Sequence, residues 1–303
     1  LGQFATTVRL IPTMPEAHYE WGVALAEAGR LPEAVNQYRA ALRIKPGFVA
    51  AECDLGSALV KLNRAPEAIA CFRRVLRVQP NLGTAHFDLG LALARIGRTD
   101  EATAQYAEAA RLDPTNAAAE FDLGIALAGE GRLVDAIACL QQGVRLEPAS
   151  SEGHFSLGLA LARIGRTEEA AAQYAETVHL DPGNAKAQLN LGIALAQEGR
   201  VSEGLGCLQK AVQIEPGSAE ARCNYGAALA MAGRLTEAVA QCRAALRLKP
   251  DYASAQFDLG NALLQLHQEP EARRHFEAAL RIDPGFEPAR KILDRLGDGD
   301  SLP

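Results

Sequence analysis

The chain has 303 residues, 48% of them hydrophobic and 22% charged, with a net charge of −6 and a pI near 5.6. Nearly half apolar content excludes a disordered segment, and the acidic balance argues against a nucleic-acid binder, which needs a basic face. No apolar run reaches the roughly 18 residues of a membrane span, so no membrane insertion is expected, and no secretory leader is legible.

In chain order, the first element is incomplete. Phe4, Val8 and Pro12 are spaced like the end of an amphipathic helix and its stop. Residues 1–14 are therefore expected to be the end of a unit cut off upstream, in a natural chain that is longer. This apolar end offers a surface for self-association.

From Pro15 to Phe286 the sequence repeats at one fixed step, that from Gly22 to Gly56, which gives eight units. Gly22, Gly56, Gly90, Gly124, Gly158, Gly192, Gly226 and Gly260 keep the step without a slip. Pro46, Pro80 and Pro114 begin a proline series that runs to Pro284, and Ala34, Ala68 and Ala102 begin an alanine series broken only by Gly204. Within the unit 83–116, Ala85, Leu89, Ala92 and Ile96 recur at helical spacing and close at Gly97-Arg98. The glycine suits a left-handed helix end, and the sites with Asn63 and His267 instead keep residues tolerant of that conformation. Arg30, Arg64, Arg98 and their equivalents to Arg234 are expected to meet the last carbonyls of that helix rather than to bind phosphate. Thr99, Thr167, Ser202 and Thr236 are expected near the N-cap of a second helix, and Pro32, Pro66 and Pro270 in its first turn. Its apolar stripe runs Ala102, Tyr106, Ala109, Leu112, and Pro114 stops it. The small residues Gly90 and Ala102 let the two helices approach closely as an antiparallel hairpin.

A superperiod lies over the repeat. His86–Ala102 reads HFDLGLALARIGRTDEA, and the text returns two units later, from His154, as HFSLGLALARIGRTEEA. Cys71, Cys139 and Cys207 share that step, as do His18, His86 and His154. Duplication of a pair of units explains both series. Histidines two units apart are too distant to share a metal. The six cysteines form no CxxC pair, so neither disulfide nor metal is expected, and unpaired thiols favour a reducing, cytoplasmic location. No phosphate loop, nucleophile elbow or HExxH occurs, so no enzyme activity and no cofactor are expected. After the repeats, Ala289, Ile292, Leu293 and Leu296 make one apolar face over 287–296, a capping helix, and 297–303 read as a flexible tail.

The Leu-Gly pair (Leu55-Gly56, Leu89-Gly90, Leu123-Gly124) and the Ala-x3-aromatic step (Ala34/Tyr38, Ala68/Phe72, Ala102/Tyr106) resemble the signature of the tetratricopeptide repeat. The signature tryptophan is absent and its first-helix tyrosine is leucine from Leu25 to Leu263, swaps that keep apolar bulk. The resemblance implies an all-α fold, a right-handed superhelical solenoid of antiparallel helix pairs, whose first helices line a concave groove. Carried onto this sequence, the groove holds an acidic and amide row of Glu20, Asp54, Asp88, Asp122, Asn190, Asn224 and Asp258. It also holds an aromatic row of Tyr19, Phe87, Phe121, Phe155 and Phe257, apolar Leu91, Ile125 and Leu159, and basic Arg95 and Arg163. Two readings of the rows stand. The aromatics tuck between helices and the carboxylates keep the face wet, or the groove takes a protein or peptide segment with apolar anchors and basic residues. The function expected is a non-catalytic protein-protein interaction scaffold. The alternative is a substrate-recruiting repeat module of a larger enzyme such as a glycosyltransferase or sulfotransferase.

Overall fold

A computed structural model of the protein describes residues 10–297 together with Thr6; Phe4, Val8 and all of the expected tail beyond Gly297 lie outside the described residues. The described residues form helices and turns with no strand. The architecture is an all-α repeat solenoid, and the chain divides into two compact units, residues 1–148 and 149–303. No described helix is long and apolar enough to cross a membrane.

In the first unit, first helices α1 (Pro15–Glu27), α3 (Val49–Lys61), α5 (Gly83–Arg95) and α7 (Ala117–Gly129) alternate with second helices α2 (Leu31–Ile44), α4 (Ala65–Val78), α6 (Thr99–Leu112) and α8 (Leu133–Leu146). The second unit repeats the order. Its first helices are α9 (Ser151–Arg163), α11 (Ala185–Gln197), α13 (Ala219–Met231) and α15 (Ala253–Gln265). Its second helices are α10 (Thr167–Leu180), α12 (Val201–Ile214), α14 (Leu235–Leu248) and α16 (Glu269–Ile282), followed by α17 (Glu287–Gly297).

The first helix of each pair ends as its sequence dictates. Gly97 has φ +76°, and Asn63 and His267 take the same left-handed turn at φ 57° and 60°. The next amide closes the end: Arg98 N–H donates to the Leu93 carbonyl at 3.1 Å and Gly97 N–H to that of Ala94 at 3.0 Å. The second helix starts where expected, with Thr99 its first residue. Arg98, beside it, occupies the N-cap, and its side chain makes no cap bond. Nor do these arginines reach back to the last carbonyls. Each folds onto a carboxylate in the first turn of the following helix, as Arg64 does on Glu67 at 2.7 Å and Arg200 on Glu203 at 2.7 Å. The carboxylate is stabilised there by the helix dipole, and the guanidinium follows it.

Packing between the two helices of a pair turns on the glycine. A Cβ at Gly90 would stand 2.6 Å from the Tyr106 ring, so the ring occupies the space a side chain would need. Ala102, opposite, is buried for the same reason. Around this contact Leu89, Leu93, Ala109 and Tyr106 are buried, and the pattern recurs down each unit.

The first-helix face, a candidate protein-binding surface

In the first unit the carboxylate row is partly built into the stack. The Tyr19 phenol is pushed up to about 12 by burial, and the neighbouring Asp54 carboxylate adds to the shift. Ser57 Oγ donates to Asp88 Oδ2 at 3.0 Å. Burial holds the carboxyls of Asp54 and Asp88 above their ordinary range, opposed at Asp54 by Tyr19 and at Asp88 by Ser57. Asp88 is thus oriented by the preceding repeat. Glu20 is exposed and Asp122 half-buried.

The aromatic row is half-buried rather than displayed. Tyr19 packs on Tyr38 and Phe48, with ring centroids 6.1 and 5.0 Å away. Phe87 packs on Tyr106 at 5.9 Å. Phe121 lies over Gly143, where a Cβ would fall 2.5 Å from its ring. Each ring therefore packs first helix against second while staying half-exposed. The exposed apolar group here is Ile125, 43% accessible, with Leu91 half-buried one repeat away. Arg95 is exposed but committed, donating to the Val60 carbonyl at 3.0 Å and to Asn63 Oδ1 at 3.2 Å. It caps the end of α3.

The second unit has the same frame with different chemistry. Phe155 packs on Tyr174 at 5.9 Å, and Phe257 on Phe276 and Phe286 at 5.8 and 5.3 Å. Leu159 and Arg163 are exposed and Asn190 half-buried. The Asn224 amide donates to the Glu220 carbonyl of its own helix at 3.0 Å. Cys223 Sγ–H donates to Asp258 Oδ2 at 3.2 Å, and burial raises the Asp258 carboxyl to about 6. The first unit therefore presents Glu20, Asp54, Asp88 and Asp122 at one helical position, where the second presents Ser156, Asn190, Asn224 and Asp258.

A polar staple between the two helices of a pair has no counterpart among the sequence expectations. His18 Nδ1 meets Gln37 Oε1 at 2.8 Å, His86 meets Gln105 at 2.8 Å and His154 meets Gln173 at 2.7 Å. In the alternate pairs Glu52 and Cys71, or Glu120 and Cys139, stand at those positions. The signal was present: partners 19 residues apart change together, and repeat eight swaps them as Gln256 and His275, 2.7 Å apart.

Profiles of the tetratricopeptide repeat match residues 15–48, 53–117, 121–185, 163–219, 189–253 and 229–296. The chain belongs to the tetratricopeptide repeat family. Among solved structures it is similar to YrrB, a TPR protein with an unusual peptide-binding site, at 21% identity and a TM-score of 0.54, over 62% of this chain and 96% of that one. It is similar to MamA at 26% identity and a TM-score of 0.52, over 55% of this chain and 92% of that one. It also resembles the Cut9–Hcn1 hetero-tetramer of the APC/C at 16% identity and a TM-score of 0.58, over 88% and 52%. A search of the curated proteins returned no match. Tetratricopeptide repeat folds are typical of protein–protein interaction scaffolds, and this chain shares that frame.

Proposed function

We infer that the chain is a non-catalytic scaffold whose first-helix face in residues 15–129 receives a protein or peptide segment with apolar anchors and basic residues. The observation that carries this reading is the carboxylate row: four successive repeats place Glu20, Asp54, Asp88 and Asp122 at one helical position. Asp88 is aimed by the Ser57 hydroxyl of the preceding repeat at 3.0 Å, and Asp54 lies beside the Tyr19 phenol of its preceding repeat, an arrangement suited to accepting from Lys or Arg. Ile125 and Leu91 give a neighbouring apolar anchor point. The peptide-binding site named for YrrB lends support by fold only. Six free thiols fit work in the cytoplasm, which is reducing.

The test uses a labelled peptide of alternating Lys and Leu. Asp122→Lys combined with Ile125→Ala removes charge and anchor while sparing Phe121, whose ring supports α8. Binding is expected to weaken by roughly 2 kcal/mol or more, with the melting curve unchanged. Equal binding by the folded double variant would overturn the reading. Leu10 is 77% exposed and Ile11 50%, so light scattering alongside the titration separates self-association at this end from peptide binding.

A further inference from the structure

The opposite side of the first unit carries a cleft that the acidic face does not use. It lies between α2 and α4 and is floored by Leu42, Leu55, Leu59 and Cys71. Its walls are cationic, with Arg39, Arg43 and Arg74. A second hollow continues past Arg74 between Phe48, Val49, Arg77 and Val78, and Val78 is 63% exposed.

Three arginines of this face are neutralised internally. Arg39 bridges to Glu67 of the next second helix at 2.8 Å, and Arg73 to Glu101 in the same way at 3.3 Å. Arg74 turns to the buried Glu52 at 2.5 Å. Arg43 and Arg77 have no ion pair or hydrogen bond among the described residues. The sequence explains why. Arg111 and Arg145 stand at the equivalent position in the next two repeats, and each is clamped by the residue three before it, Glu108 or Gln142, at 2.5 and 2.6 Å. Three residues before Arg43 and Arg77 stand Ala40 and Arg74. The i, i+3 neighbour that would quench the guanidinium is missing, and at α4 another cation replaces it.

We propose that this second-helix face of the first two repeats is a separate docking site for an acidic segment of a partner protein, its carboxylates meeting Arg43 and Arg77 and its apolar side chains entering the cleft over Leu42 and Leu55. Arginine suits such pairing because its planar fork meets a carboxylate at two points. The apolar floor, and Glu52, Glu67 and Glu101 set among the arginines, favour a peptide over a nucleic-acid backbone, which needs continuous positive charge. The site is opposite in charge to the first-helix face, so the two sites answer to different probes.

The full chain is titrated with a fluorescent peptide of alternating Glu and Leu carrying a free carboxyl end. Saturable binding that weakens with salt is expected, and Arg43→Gln with Arg77→Gln is expected to weaken it at least about tenfold. The Asp122→Lys/Ile125→Ala variant is expected to bind this peptide as the parent does. The proposal is overturned by absence of saturable binding, or by equal affinity in the arginine double variant with an unchanged melting curve. It is also overturned if a single-stranded oligonucleotide displaces the peptide at equal concentration, which would make the face a general anion surface. Failure of the Lys–Leu peptide on the other face leaves each of these outcomes readable.

Discussion

Asp258 illustrates how a single residue couples the stack to pH. Its carboxyl is raised from its ordinary value of 3.8 to about 6 because burial disfavours the charge, the Cys223 thiol only partly opposing this. A folded-state value above the unfolded one means the native state holds the proton more tightly. Stability from this group therefore rises as pH falls from about 6 towards 4 and is lost as pH rises through 6. Asp258→Asn keeps an acceptor for the thiol and removes the ionisation. It is expected to stabilise the second unit by about 1 to 2 kcal/mol at pH 7, with the gain over the parent vanishing near pH 4; denaturant melts at the two pH values decide it. Glycines divide just as sharply. Gly90→Ala drives a methyl into Tyr106, whereas at Gly206, in mid-helix, nothing lies within 4 Å of the place a Cβ would take. Gly90→Ala is expected to destabilise by about 1 to 3 kcal/mol and Gly206→Ala to stabilise by about 0.5 to 1 kcal/mol. A similar effect of both on the melting temperature would refute the packing role of the first. The repeat spacing alone made Gly90 legible as a contact point, whereas the Gln37 that meets His18 becomes legible only on comparing repeats, where the two positions change together.

At the scale of the helix, the duplicated pairs expose which end contacts matter. Thr103 of α6 donates to Glu130 Oε1, just past α7, at 2.6 Å. The counterpart of Thr103 two repeats on is Ala171, and Glu198 Oε1 is left buried with no partner among the described residues. Ala171→Thr restores the donor. A hydrogen bond to a buried charge outweighs the lower helix propensity of threonine, so a net gain of about 1 kcal/mol is expected; a lower melting temperature in the variant would show that the acid has found water instead. Second helices are also tied to one another where an arginine of one meets a glutamate of the next, as in Arg39–Glu67 and Arg243–Glu271, both at 2.8 Å. Such exposed pairs contribute little each. α17 buries Ala289 and turns Lys291, Asp294 and Arg295 to solvent.

At the scale of the molecule, each helix packs mainly on its sequence neighbours, and stability is correspondingly local. Gly260→Ala places a methyl 2.6 Å from the Phe276 ring of the same repeat. Hydrogen exchange is expected to rise in α15 and α16 by about an order of magnitude or more while protection in α1–α4 is unchanged. Uniform loss of protection across both units would show global cooperativity and contradict a nearest-neighbour solenoid.

The sequence by itself determined the helix pair, its length, the left-handed turn at Gly97 and Asn63, and the close approach at Gly90, because each follows from a local rule applied at a fixed period. It also marked the first-helix positions, since these repeat with the fold. What the side chains at those positions do was decided only by the tertiary structure. Phe87 and Phe155 spend their rings on Tyr106 and Tyr174, Asp88 is held by Ser57, and Arg95 caps a neighbouring helix. Arg43 and Arg77 are left without a counter-charge by residues in their own helices, yet the cleft beside them forms only where two repeats stack. Periodicity reports which face a residue shares; the partner it meets comes from another repeat, at a distance in sequence that no local rule fixes.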